Sequence, residues 1–339
     1  MTRVLVPLQL DDSMPLLAAQ AHRLEGQTMG TTWQVLWATT GPSQGQAVRV
    51  AVQDELDLVV AQMSTWLAGS DVDRFNRAAA GTLHTVPEAM AAVLDAALWM
   101  AHVSDGAFNP AAGALVNLWG FGPGPRYTDP GFEPPSEGAV LGALALKDWR
   151  ALAWNATTRE ARQPGAVLLD FSAIAKGYAV DRVSRRLAGM GLAHHLVEVG
   201  GELRGSGLRP GGQPWWVDLE SPPVASGPSA LQTTRVALHS MAVATSGDYR
   251  RVYTRDGVRW PHTIDPRNGR PLSNGLASVS VLHAECMWAD AWSTALTVLG
   301  RDEGLALATA HGIAALFVQR GADGRLAETL TPAMKELAA

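Results

Sequence analysis

The stretch from 285 to 300, ECMWADAWSTALTVLG, constrains the fold more than any other part of the chain. Trp292, Ala295, Leu296 and Leu299 recur at helical spacing as an apolar stripe, and Gly300 is a natural stop, so the stretch reads as a buried helix. Asp290 and Thr294 lie one turn apart and project from the same face. A small oxygen-rich pair on a buried helix suits a hard cation such as magnesium, which takes carboxylate, hydroxyl, carbonyl and water ligands. The same aspartate near a helix start also simply favours the macrodipole. Spacing alone leaves both readings open.

A buried helix needs a core around it. The 339 residues are 47% hydrophobic, enough for one large domain or two intimately joined ones. A net charge of -5 excludes nucleic-acid binding by bulk electrostatics. Cys286 is the single cysteine, so an intramolecular disulfide is impossible, and the count fits a reducing compartment. No apolar run reaches membrane-spanning length. Near the N-terminus Asp11 and Asp12 interrupt the apolar residues, leaving no signal-peptide core, and no cysteine follows for lipid attachment. Localisation stays open: cytoplasmic as the sequence stands, periplasmic if an export signal has been removed.

Helical and strand-like runs are mixed along the chain. A strand is expected over 27–39. Val52, Leu56, Val59, Met63 and Trp66 predict a helix over 53–66, followed by a short helix containing Asp73 and Phe75. Pro87 and Glu88 open another helix, and 122–138, rich in proline and glycine, is a loop. Segment 167–171 reads as a buried strand running into a helix with Val180, Val183, Leu187 and Met190 on one face, closed by Gly191. Further strands are expected at 195–199, 215–219, 235–238, 262–264, 276–282 and 313–319, with the Gly200-Gly201 pair and 321–324 as turns and a helix at 303–310. No repeat at solenoid spacing is visible. Frequent hairpin-type turns favour an α+β fold, with mixed, largely antiparallel sheets and packed helices, over a doubly wound parallel sheet.

Several short patterns carry polar chemistry. Met29-Gly30-Thr31 lets backbone approach a ligand closely, or is a simple turn before a strand. Trp66 sits at a helix end, where an aromatic packs on a flat ring system or joins the core. Gly106-Ala107-Phe108-Asn109-Pro110 is a turn that can grip a ring or ribose, or one in which Asn109 bonds its own backbone. Asp170 through Lys176 spans a junction where phosphate and metal can meet. Val243 to Arg250 reads as a strand ending in a polar turn. His262, in His-Thr-Ile-Asp-Pro, is a general base, a hydrogen-bond donor or a structural histidine.

In order along the chain stand MGTTWQV, MSTWLAGSDVDRFN, GAFNPAAGALVNLWGFG, LDFSAIAKGYAVD, VEVGGELRGSG, AVATSGDYRR, HTIDPRNGRP and CMWADAWSTALTVLG. Through these blocks the chain resembles the ApbE-like FAD:protein FMN transferases from about Thr28 to Gly300. The resemblance implies a T-fold-like architecture with a single domain over 28–330, which can comprise two intimately joined subdomains, an N-terminal extension over 1–27 and a C-terminal tail over 331–339. It implies a magnesium-dependent reaction in which FAD is cleaved at its pyrophosphate, FMN passes to a threonine or serine hydroxyl of an acceptor flavoprotein, and AMP leaves. It further implies metal ligation by the Ala173 carbonyl, Asp290, Ser293 and Thr294. FAD contacts are implied for Met29, Trp66, Ala107, Phe108, Asn109, Asp170, Lys176 and Ile264, and His262 is placed near the reaction centre. The alternatives are an FAD pyrophosphatase, with water as acceptor, and a non-catalytic FAD-binding maturation protein. In one place the chain departs from the family pattern. The family's GAF turn commonly continues with aspartate and, two residues later, threonine, where Asn109 and Ala111 stand here.

Overall fold

The computed structural model describes residues 2–8, 16, 18–146, 148–223, 231–255, 257–321 and 323–338; Asp11 and Asp12 lie outside them. In the main sheet the strands are β1 (Gln20–Thr28), β2 (Thr31–Thr39), β3 (His195–Val199), β4 (Glu202–Ser206), β5 (Met241–Gly247), β6 (Leu276–His283), β7 (Ala314–Arg320) and β8 (Leu326–Leu330). They lie side by side in that order, each antiparallel to the next. The helices are α1 (Gly45–Met63), α2 (Asp71–Arg77), α3 (Glu88–Val103), α4 (Gly113–Leu118), α5 (Glu137–Leu144), α6 (Ala175–Gly189), α7 (Cys286–Ala310) and α8 (Pro332–Glu336). The expected α+β architecture with antiparallel sheets is therefore the observed one.

Two halves of the sheet are built alike. In the first, β1 and β2 are followed, after α1 to α5, by α6 and then β3 and β4. In the second, β5 and β6 are followed by α7 and then β7 and β8. The halves join where β4 pairs with β5, and α6 and α7 pack against one another. One face of the sheet buries Trp33, Val35, Trp37, Ala242, Val279 and Val281 against α1, α3, α6 and α7. The other buries Val243, Ala277, Leu282 and Leu316 against Trp215, Val236, Leu238 and Met334. Burial on both faces explains why β6 reads as an unbroken apolar run rather than an alternating one.

Local differences from the sequence reading have local causes. The strand expected over 27–39 is a hairpin whose tip, Met29-Gly30, has φ of 49° and 70°, the left-handed pair that a two-residue hairpin turn requires. Helix α1 starts at Gly45, earlier than expected, because Gln44 gives no side-chain cap to mark the start. It stops at Met63, where Ser64 turns extended and its hydroxyl accepts from the Trp66 N–H. Segment 167–171 is extended but enters no sheet. Leu168 makes a single parallel bridge to Ala112, and the Asn76 amide clamps both the N–H (2.7 Å) and the carbonyl (2.9 Å) of Leu169. The strand expected at 262–264 is interrupted, because His262 lies in a bend between Val258–Pro261 and Ile264–Asp265. The helix expected at 303–310 continues α7, and Gly300, at φ 80° and ψ -179°, is the kink between the two parts.

Thr2–Leu5 pairs in parallel with Thr233–Leu238, and Val6 N–H donates to the Leu337 carbonyl (2.8 Å). The segments set aside in the sequence as extension and tail thus contribute a strand, β1 and α8 to the packed structure. Among the described residues no helix is long and apolar enough to cross a membrane.

Candidate active site

The site is built where α6 meets α7. Gly177, in the first turn of α6, packs so closely on α7 that a Cβ there would stand 2.3 Å from the Cys286 carbonyl oxygen and 2.8 Å from Asp290 Cβ. Its N–H is one of the donors a helix start leaves without an internal partner, and it donates to Asp290 Oδ2 (3.0 Å). Asp181, one turn further along α6, does the same for α7. Its carboxylate accepts from the N–H groups of Cys286 (3.0 Å) and Met287 (2.9 Å) and pairs with Arg204. Each helix therefore supplies the carboxylate that caps the other. Asp290 is buried, and burial holds its carboxyl above the usual range against the opposing pull of Lys176 and the Gly177 N–H.

Hydroxyl groups continue the site along α7. Ser293 Oγ donates to the Asp290 carbonyl (2.9 Å) and meets Ser246 Oγ of β5 (2.8 Å), which also meets Thr294 Oγ1 (3.1 Å). With the Ser293 proton committed to the carbonyl, Ser246 must donate to Ser293 and Thr294 to Ser246. Among the described residues both lone pairs of Thr294 Oγ1 then remain free, whereas the Ser293 hydroxyl is buried and used. Among the described residues no group of three or more His, Cys, Asp or Glu could hold a metal. With Ala173 in the turn leading into α6, the set here is instead one carboxylate with the neutral hydroxyl of Thr294 one helical turn on. That fits magnesium, which keeps several waters, better than zinc or calcium.

Lys176 links this region to its surroundings. Its ammonium pairs with Glu202, whose side chain is 4% exposed. Burial opposes the charge on Lys176, but Asp290 and then Glu202 outweigh it and raise its pKa. Burial likewise pushes the Glu202 carboxyl up, and its Oε2 is buried without a hydrogen-bond partner among the described residues. Glu202 follows the Gly200-Gly201 turn. A Cβ on Gly200 would meet Thr31 Cγ2 at 2.9 Å, and one on Gly201 would meet the Arg250 guanidinium at 2.6 Å. Arg250 donates to the Gly200 carbonyl (2.7 Å), and Arg251 lies against Gly30 at the β1–β2 tip. His262 completes this group. Its Nδ1 faces the Arg251 carbonyl (3.1 Å), an acceptor only, so Nδ1 carries the proton, and Nε2 has no hydrogen-bond partner among the described residues. Burial lowers its pKa to about 4 despite that bond, and the charges of Arg251, Lys176 and Arg250 add to the effect.

The remaining residues singled out in the sequence form a second group, continuous with the first through the chain from Asp170 to Lys176. Asp170 N–H donates to the Pro110 carbonyl (2.8 Å), docking this segment on the turn that holds Ala107, Phe108 and Asn109. Ala107 and Phe108 are buried in the core. Asn109 Oδ1 accepts from the Ala111 N–H (2.8 Å), the self-bonded turn, and Asp170 Oδ1 accepts from Ser172 N–H in the same way. Ile264 is buried beside Leu115 and Trp119. Trp66 is 52% exposed, so it is a surface ring and not core; no hydrogen bond or ring contact among the described residues joins it to the others.

Glu202, Ser246, Gly177 and Asp181 were not singled out from sequence. Their motifs were visible, but their roles depend on contacts more than twenty residues away in the chain. The signal that could have found Glu202 is a carboxylate directly after a glycine pair that ends a buried strand.

The ApbE family model matches residues 29–317. An FAD:protein FMN transferase of Vibrio cholerae is 36% identical over 308 residues, covering 91% of this chain and 90% of that protein. One of Treponema pallidum is 32% identical, covering 80% and 77%. Among solved structures, the apo flavinyl transferase ApbE of Pseudomonas stutzeri superposes with a TM-score of 0.85 at 38% identity, covering 96% of this chain and 98% of that one.

Proposed function

The chain belongs to the ApbE family, and we propose that it acts as an FAD:protein FMN transferase, moving FMN from FAD to a threonine or serine hydroxyl of an acceptor flavoprotein with release of AMP. The observation that carries this reading is the reciprocal capping of α6 and α7, which holds Asp290, Thr294 and Lys176 at one junction. Asp290, Thr294 and the Ala173 carbonyl would hold magnesium, with Ser293 keeping the hydroxyl chain in order. Bound there, the ion supplies charge neutralisation for the pyrophosphate oxygens.

The chain's own residues account for the other requirements. Lys176 brings a fixed positive charge to the phosphates. Trp66 offers an exposed ring face for the flavin, while Asn109 and Asp170, set by their own turns, contact FAD through polar groups. The acceptor hydroxyl attacks the FMN phosphorus as the bond to AMP breaks. Its proton passes to His262 Nε2, the nitrogen left free by the Nδ1 bond. A base of pKa about 4 is weak, but the negative charge of bound FAD raises it. AMP release from FAD, with and without magnesium, tests the reading when a threonine-bearing acceptor is present and the acceptor band is viewed for covalent flavin fluorescence. A magnesium-dependent fluorescent band with matching AMP is expected. AMP with free FMN and no band would indicate the hydrolase instead.

A further inference from the structure

Two hairpin ends meet close to His262. The β1–β2 tip, Met29-Gly30, and the β3–β4 turn, Gly200-Gly201, are neighbours because β2 pairs with β3 and Gly200 N–H donates to the Thr32 carbonyl (3.0 Å). The segment leaving β5 brings Arg250 to the second turn and Arg251 to the first. Lys176 joins them, its Cδ 3.4 Å from the place a Cβ on Gly200 would take. Three cations therefore gather at one edge of the active site.

Two of the three are committed. Lys176 pairs with Glu202, and Arg250 pairs with Glu220 and donates to the Gly200 carbonyl (2.7 Å). Arg251 is exposed, and its guanidinium has no hydrogen bond or ion pair among the described residues. Its position is set all the same. The Arg251 carbonyl accepts from both the N–H (3.0 Å) and Nδ1 (3.1 Å) of His262, so the two residues are joined through the main chain. Nη2 stands 3.9 Å from the place a Cβ on Gly30 would take, and beyond the chain neighbours of Gly30 no other described atom lies within 4 Å of that point. An open, uncommitted guanidinium thus stands between a histidine base and the turn of Met29. The partner that suits it is a phosphate, whose paired oxygens match two parallel N–H donors. After burial, the charge of Arg251 does most to lower the His262 pKa, which supports this closeness.

We propose that Arg251 is a catalytic residue of the transfer, its guanidinium holding the non-bridging oxygens of the phosphate that passes to the acceptor. The inference rests on the transferase reading and adds a residue to it. The acceptor oxygen bonds phosphorus, the electron pair of the breaking P–O bond leaves with AMP, and the hydroxyl proton goes to His262. Arg251 meets the negative charge on the phosphate in between. Because its own carbonyl holds His262, phosphate and base are kept in register by one residue.

The test is steady-state flavinylation by Arg251→Ala and Arg251→Lys, varying FAD and acceptor separately, with the acceptor that the unmodified chain flavinylates. Arg186→Ala, which removes an exposed arginine from the last turn of α6, controls for net charge. Arg251→Ala is expected to lower kcat/KM for FAD about a hundredfold, with acceptor KM unchanged. Its urea midpoint is expected to hold, because His262 is bonded to main chain that the substitution keeps. Arg251→Lys, and millimolar guanidinium ion added to Arg251→Ala, are each expected to restore part of the rate. A parent-like rate in Arg251→Ala, an equal loss in Arg186→Ala, or a loss that neither lysine nor guanidinium relieves overturns this inference alone. If the unmodified chain flavinylates no acceptor, the transferase reading falls, and FAD titration at fixed salt then judges the phosphate contact by itself. A rise of about tenfold in FAD Kd for Arg251→Ala supports it, and equal affinity overturns it.

Discussion

Asp181 and Asp290 are exchanged caps: Asp181 of α6 accepts from the first amides of α7, and Asp290 of α7 accepts from the first turn of α6. Asp290 therefore has a fixed orientation, because one of its oxygens is committed to Gly177. In the proposed magnesium site a carboxylate held this way would lose little freedom on binding the ion.

Gly177→Ala is expected to part the two helices. The new methyl group would sit 2.3 Å from the Cys286 carbonyl oxygen, which is backbone and cannot turn aside. A cost of about 3 kcal/mol in urea unfolding is expected, together with loss of transfer. A variant as stable as the parent would show that the helices are less tightly seated than described.

Asp290→Asn keeps the side chain's shape and removes the charge. Transfer at saturating FAD is expected to fall about a hundredfold and to require more magnesium for half-maximal rate. Activity of the unmodified chain should vanish with chelator and return with magnesium. Unchanged magnesium dependence in Asp290→Asn would remove this residue from the metal site.

His195, on β3, provides a pH prediction away from the reaction. It is fully buried between Ser184 Oγ (2.8 Å) and the Leu192 carbonyl (2.7 Å), and burial lowers its pKa to about 4. Between that value and the unfolded 6.5 the unfolded chain binds a proton that the folded chain refuses. Stability from this group is thus lost as pH falls through that window, by about 2 kcal/mol at pH 5. His195→Gln should show a shallower loss between pH 7 and pH 5 in urea unfolding.

His262 should act on rate. Since its pKa in the free protein is about 4, the acid limb of kcat/KM is expected below the pH 6.5 of an ordinary histidine. His262→Ala should lower kcat about a hundredfold or more. A variant that transfers FMN at the parent rate would remove the base role.

The Lys176–Glu202 pair should behave as a unit. Lys176→Met leaves the buried Glu202 without its cation and is expected to cost about 2 kcal/mol and to weaken FAD binding. Adding Glu202→Gln should recover most of the stability but not the FAD affinity, and a double-mutant cycle reads the difference.

The helix carrying Asp290 and Thr294 was legible because its apolar stripe and its glycine stop are both local signals. The bend at His262 was not, since the residues on either side read as strand and only the neighbouring pairs, Val258–Pro261 and Ile264–Asp265, break it into two pieces. Segment 167–171 was mistaken for a strand because a side-chain amide, Asn76, takes the place of a neighbouring strand, and nothing in an apolar run reveals what will bond to it. Trp66 carried no sign of its exposure, because an indole reads as core in any sequence. Ser293 and Thr294 are neighbours of one polar type, both reached by Ser246, and only the bond from Ser293 to the Asp290 carbonyl separates the two hydroxyls.

The two like halves of the sheet bear on descent. A chain that arose by copying one strand pair, helix and strand pair would set two like helices side by side, and here an aspartate of each bonds the opening turn of the other. Asp181 is pinned by Arg204 as well as by the α7 amides, while Asp290 keeps one carboxylate oxygen that the Gly177 N–H does not take.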